Sequence, residues 1–167
     1  MSKKVYVTWN EVSSYCHTII RKMIKDNWVP DVIVGVTRGG VVPATMLSHY
    51  LGKPMVALGV SLRDDSLGIG SESNCWLPEM LDEGKKILIV DDINDTGATI
   101  NWILNDWCYT QNYTKWDGRL RIATLHNNVV SDATVEVDYP AVDINKMEND
   151  IWIVYPWENF WETHHVN

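Results

Sequence analysis

Short apolar runs alternate with amphipathic stretches along most of the chain, and turn signals divide them into elements. Val5-Tyr6-Val7 reads as a short strand. Thr8 followed three residues later by Glu11 is a capping box, so a helix is predicted over residues 9–26. Residues 31–36 are apolar without alternation, the pattern of a strand buried on both faces, and Thr37-Arg38-Gly39-Gly40 breaks it. A helix follows over 42–51, with Gly52 just past its end, then a strand over 55–60. Residues 61–84 lose all period and carry Gly68, Gly70 and several serines, which reads as a long loop of functional use. A strand over 87–90 leads to a helical pattern from Ile100 to about Tyr109. A strong strand over 121–125 and shorter ones over 134–137 and 151–154 complete the reading.

Strands alternating with helices predict an α/β fold with a mostly parallel central sheet flanked by helices. A length of 167 residues suits one domain, 1–167, with one substantial core. Parallel sheets bind ligands beyond the carboxyl ends of their strands. Four segments follow strands here: 37–40, 61–84, 91–99 and 126–128. They are predicted to meet at one edge and form one site.

The segment Val90-Asp91-Asp92-Ile93-Asn94-Asp95-Thr96-Gly97-Ala98-Thr99 carries the densest chemistry. Three carboxylates crowd the end of a buried strand, and a small-residue turn rich in backbone and hydroxyl donors follows at a helix start. Carboxylates suit sugar hydroxyls and magnesium; a donor-rich helix N-terminus suits phosphate. A sugar phosphate satisfies both. Aspartates also cap helices as solvated turns, but three of them directly before Thr-Gly-x-Thr favour a ligand.

The net charge of −8 argues against a nucleic-acid-binding protein. No apolar run approaches the ~20 residues of a membrane span, and no signal-peptide core is visible, so a cytoplasmic protein is expected. Cys16, Cys75 and Cys108 lack metal spacing and are expected as thiols of a reducing compartment. Nine tryptophans are a surplus, fitting core and subunit contacts or stacking on bases.

The acid-rich run resembles the phosphoribosyl-pyrophosphate (PRPP) motif of the type I phosphoribosyltransferases. Val7-Thr8-Trp9, Val36-Thr37-Arg38-Gly39-Gly40-Val41-Val42-Pro43 and Ile151-Trp152-Ile153 with Pro156-Trp157 are similar, in the same order, to the bacterial xanthine-guanine members. The resemblance implies that family's fold, with a mobile hood loop over the site at 61–84. It implies transfer of ribose 5-phosphate from PRPP to a purine base, a 6-oxopurine such as guanine, xanthine or hypoxanthine, with Mg²⁺ present and pyrophosphate released. It implies ribose and metal contacts, through water or directly, at Asp91 and Asp92, and catalysis by Asp95 near the purine N7 and by Arg38. The 5′-phosphate cradle falls on Asp95, Thr96, Gly97, Ala98 and Thr99. The pyrophosphate loop falls on Thr37, Arg38, Gly39 and Gly40, with a cis peptide before Arg38. Trp152 falls where an aromatic stacks on the base, and Ile153 where the backbone meets its edge. A homodimer or homotetramer is implied as well.

Two positions depart from the family. A lysine that contacts the purine 6-oxo group in similar enzymes is matched by Asn127, an amide that donates without charge and also accepts. The accepted base is therefore open. Ser61-Leu62 stands where a Ser-Tyr pair is common at the hood, and Arg63 is the residue there with reach to pyrophosphate. A non-catalytic PRPP-binding regulator is the other reading of the same motifs. His126 is expected to support a strand end, His164 and His165 to be solvated, and Trp157 and Trp161 to serve packing or subunit contacts.

Overall fold

The structure, a computed structural model, describes residues 2–60, 62, 74–108 and 113–158. The strands are β1 Lys3–Tyr6, β2 Val32–Thr37, β3 Met55–Gly59, β4 Ile87–Asn94, β5 Leu120–Asn128, β6 Tyr139–Ile144 and β7 Ile151–Val154. The helices are α1 Trp9–Lys25, α2 Val41–Leu51, α3 Trp76–Asp82 and α4 Ala98–Trp107. Five strands pair in parallel in the order β3-β2-β4-β5-β6, and β1 pairs with β7 in parallel as a separate two-stranded sheet.

The unalternated strands are explained by cover on both faces. In β2 and β4, Ile33, Leu88 and Val90 join one core with α1 and α2; Val32, Val34, Val36, Ile87 and Ile89 join the other with α3 and α4. Each strand feeds both cores because successive side chains point to opposite faces. The start of α1 is the predicted capping box: Thr8 N–H donates to the Glu11 carboxylate at 2.8 Å, and Glu11 N–H donates to Thr8 Oγ1 at 3.2 Å. Gly52 ends α2 at φ 62°, where a side chain is strained.

Two expectations shift. The long loop contains α3, a short helix anchored by buried Leu77 and Leu81; its two apolar contacts are too few to register as a period. Residues 61 and 63–73, which hold Arg63, lie outside the described residues, so the hood itself is not described. The strand expected over 134–137 stands instead at Tyr139–Ile144. Pro140 does not break it, because β6 is the edge strand and an edge tolerates a missing donor. Among the described residues no helix is long and apolar enough to cross a membrane.

The loop after β2 is pressed onto β4. A Cβ on Gly40 would lie 2.3 Å from Val90 O and 2.8 Å from Asp91 Cα, both backbone atoms that cannot move aside. Gly40→Ala is therefore expected to lower the unfolding free energy by ~2 kcal/mol or more in denaturant titration. Gly52→Ala, with nothing within 4 Å of the added carbon, should lose only the ~1–2 kcal/mol of backbone strain. Equal losses would contradict the close approach.

Candidate functional site

The strands of the parallel sheet end on one edge, and a cavity of about 770 Å³ lies there. Its wall takes residues from the ends of β2 and β4, the start of α4, and β7 with the segment after it. Strand β4 continues through Asp91, Asp92 and Asn94, so the first two acids belong to the strand end rather than to the turn. Asp91 accepts the Asp92 N–H at 2.9 Å, and Asp92 accepts the Ile93 N–H at 2.8 Å. Burial, reinforced by the charge of Asp92, holds the Asp91 carboxyl well above the usual carboxylate range. Burial likewise pushes Asp92 up to about 6, with the charge of Glu158 adding to the shift and backbone donors opposing it. Two crowded carboxylates of this kind favour a cation. They are hard oxygen donors, and two protein carboxylates completed by ligand oxygens are the usual complement for magnesium.

The β2–α2 loop lies flush against that pair. The Thr37–Arg38 peptide is cis, as expected. A Cβ on Gly39 would fall 1.8 Å from Asp92 Oδ2, so a side chain there would displace the carboxylate the loop now covers. Thr37, Arg38 and Gly39 line the cavity, with Arg38 exposed, while Gly40 packs beneath on β4.

Asp95, Thr96, Gly97, Ala98 and Thr99 line the next part of the wall. Gly97 turns at φ 87°, and a Cβ there would meet Ala133 N at 2.3 Å. The Ala98 N–H donates to Thr96 Oγ1 at 3.3 Å, and the remaining N–H groups of this first turn of α4 have no partner within the helix. Such a turn is a ready anion cradle.

The opposite wall is aromatic. Trp152 on β7 is 47% exposed and Ile153 is buried, and both line the cavity. Lys146, from the connection between β6 and β7, places Nζ 2.9 Å from Asp95 Oδ1 and 5.9 Å from the centre of the Trp152 ring. Tyr155 stacks on Trp157 with centroids 4.9 Å apart and planes 1° from parallel. The Tyr155 hydroxyl donates its one proton to the Asp92 carbonyl at 2.8 Å, so His126 Nδ1, 2.8 Å from that hydroxyl, must be the donor to it. Burial pushes His126 down to about 4, which agrees with a neutral Nδ1–H ring. His126 thus supports the strand end. Burial raises the Cys16 thiol to about 11, outside the range of a nucleophile.

Asn127 stands apart from these residues. It is not among the residues lining the cavity. Its Oδ1 accepts from Asn94 Nδ2 at 2.9 Å and its Nδ2 donates to Asp143 Oδ1 at 2.9 Å. Lys146, Tyr155 and Glu158 line the cavity without having been singled out from sequence, and Trp157 lines it as well as packing. Lys146 sits in a polar stretch, Asn145-Lys146-Met147-Glu148-Asn149-Asp150, that offers no motif. Trp161, His164 and His165 lie outside the described residues.

A family model described as the phosphoribosyl transferase domain matches residues 6–159. Xanthine phosphoribosyltransferase 1 of Saccharomyces cerevisiae is 26% identical, over 94% of this chain and 90% of its own. Hypoxanthine-guanine phosphoribosyltransferase of Schizosaccharomyces pombe is 28% identical, over 93% and 89%. Among solved structures, a purine phosphoribosyltransferase from Pyrococcus horikoshii superposes with a TM-score of 0.65 at 29% identity, covering 93% of this chain and 94% of that one.

The raised Asp92 carboxyl makes a stability prediction. Its folded pKa lies above the unfolded value, so ionisation opposes folding at neutral pH and the penalty is relieved as pH falls through about 6. Asp92→Asn keeps an acceptor for the Ile93 N–H and removes the charge. It is expected to raise the unfolding free energy at neutral pH by ~1 kcal/mol, a gain that shrinks as pH falls toward ~4. A gain that is independent of pH would place its origin elsewhere.

Proposed function

The chain belongs to the phosphoribosyl transferase domain family, and from that premise we infer that it is a purine phosphoribosyltransferase of purine salvage. It transfers ribose 5-phosphate from PRPP to a 6-oxopurine such as guanine, xanthine or hypoxanthine and releases pyrophosphate. The observation that carries the reading is one cavity joining the Asp91–Asp92 pair, the Asp95–Thr99 turn, the loop before α2 and the exposed Trp152 ring.

Asp91 and Asp92 accept hydrogen bonds from the ribose hydroxyls and fix the sugar under the loop. Their negative field favours the oxocarbenium-like charge that grows on C1′ as pyrophosphate leaves. Asp91 and Asp92 would hold Mg²⁺, which when bound would supply positive charge to the pyrophosphate. Thr96 to Thr99 hold the 5′-phosphate. Thr37, Arg38 and Gly39 receive pyrophosphate, Arg38 as the cation, and Gly40 seats their loop on β4. The base stacks on Trp152, with its edge along the Ile153 backbone. As the C1′–O bond to pyrophosphate breaks, purine N9 forms the C1′–N bond and the N7 proton passes to Asp95.

Asn127 supports Asn94 through its amide, and we assign the contact with the 6-oxo group to Lys146. The ammonium is already beside the stacking ring and beside Asp95. It serves a 6-oxo acceptor well and a 6-amino donor poorly, which selects oxopurines over adenine. The exposed rings of Trp9, Trp76 and Tyr50 support a homodimer or homotetramer, and a role in purine salvage supports a cytoplasmic location.

A panel of purine and pyrimidine bases with PRPP and Mg²⁺ tests the reading through nucleotide and pyrophosphate formation. Turnover with 6-oxopurines is expected; PRPP binding without turnover of any base would make the chain a regulator. Lys146→Met should lower kcat/KM for oxopurines by roughly 10- to 100-fold, the worth of one charge-assisted hydrogen bond, with PRPP affinity kept. Asp95→Asn should depress kcat more than PRPP affinity, and parallel losses would make Asp95 structural.

A further inference from the structure

Asn128 closes β5 and is 6% exposed. Its Nδ2 donates to the Asp95 carbonyl at 2.8 Å, and its Oδ1 accepts the Lys146 N–H at 3.2 Å. Those two backbone groups belong to the two residues whose side chains form the 2.9 Å ion pair on the cavity wall. One buried amide therefore holds the chain at both points from which the charges leave. The surrounding backbone is fixed as well: Asn128 faces Ile144 in the β5–β6 register, the Val129 N–H donates to Ile144 O at 2.9 Å, and the Ser131 N–H donates to Asn128 O at 3.0 Å.

The chemistry of the two partners restricts what can stand there. The Asp95 carbonyl demands a donor and the Lys146 N–H demands an acceptor, and an amide offers both from one planar group. An ionised carboxylate of the same shape offers acceptors alone and faces the carbonyl with like polarity. A leucine offers neither and leaves both backbone groups unsatisfied.

We propose that Asn128 is a positioning residue of the base subsite, clamping the Asp95 and Lys146 backbones so that the carboxylate and the ammonium meet the base edge in one geometry. This rests on the purine reading above, because it gives those two charges a base to address. The clamp acts on the base half of the cavity. The Asp91–Asp92 pair and the Thr96–Thr99 turn make no hydrogen bond with the Asn128 side chain among the described residues. Base recognition and PRPP binding are thus expected to separate when it is altered.

The test uses the full chain carrying Asn128→Asp or Asn128→Leu, measuring PRPP affinity by calorimetry with Mg²⁺ and KM and kcat for guanine across pH. At about pH 8, Asn128→Asp is expected to raise the guanine KM roughly tenfold while PRPP affinity stays within about twofold. Lowering the pH toward about 6 should restore the aspartate variant, since a protonated carboxyl donates to the Asp95 carbonyl again, and should leave the leucine variant unchanged relative to wild type. Unchanged guanine kinetics, parallel loss of PRPP affinity, or identical pH profiles for the two variants would overturn the clamp. If the aspartate variant does not fold, Asn128→Ser, which leaves room for a bridging water, should show the same rise in guanine KM with PRPP affinity kept. Should the wild type turn over no base, the proposed activity fails by itself; the clamp is then decided by guanosine 5′-monophosphate affinity, expected to fall roughly tenfold in Asn128→Asp at about pH 8 and to be unchanged if the clamp is wrong.

Discussion

Asp91 and Asp92 stand at the end of the central strand, half-buried and side by side, with no ion pair to a protein cation among the described residues. Holding two carboxylates there costs stability, and much of the surrounding structure bears on that cost. Backbone N–H groups of Asp92 and Ile93 donate into the pair. Gly39 and Gly40 bring the loop before α2 to within contact of it. The Tyr155 hydroxyl, supported by His126, ties the Asp92 carbonyl to the wall behind. A cation and a polyhydroxyl ligand, as proposed above, would relieve the arrangement.

The second charged feature has the opposite character. Asp95 is neutralised by Lys146 within the protein, and the ammonium lies beside the Trp152 ring. One side of the cavity is therefore short of positive charge while the other is balanced. A phosphorylated sugar with its metal suits the first side, and a neutral aromatic base with polar edges suits the second. The two halves meet between Asp92 and Asp95, residues of one strand end and its turn.

Much of the architecture was legible because its signals are local. Unalternated apolar runs announced strands covered on both faces, Thr8 and Glu11 announced the start of α1, and the glycine after α2 marked its end. The missed elements had weak local signals. Helix α3 is held by two leucines in a glycine- and serine-rich surround, and β6 begins beyond its expected place because its pairing with β5 outweighs a proline at a sheet edge. Asn127 is expected at the base only through its match to the lysine of similar enzymes. In the structure its amide is taken up by Asn94 and Asp143.

The sequence by itself determined one stretch of the cavity wall, since the acids, the Thr-Gly turn and the Arg-Gly-Gly loop are each contiguous and each follows a buried strand. Strand direction alone then requires them to share an edge. Only the tertiary structure decided how the wall around Asp95 is completed. Asp95 and Trp152 stand in segments the sequence had marked, but Lys146 and Asn128 carry no motif, and they reach Asp95 and Trp152 because the ends of β4, β5 and β6 meet β7 at the same wall. Hydrogen bonds across 33 and 18 residues of chain hold that meeting in place, and a contact of that separation leaves no periodic trace in the sequence.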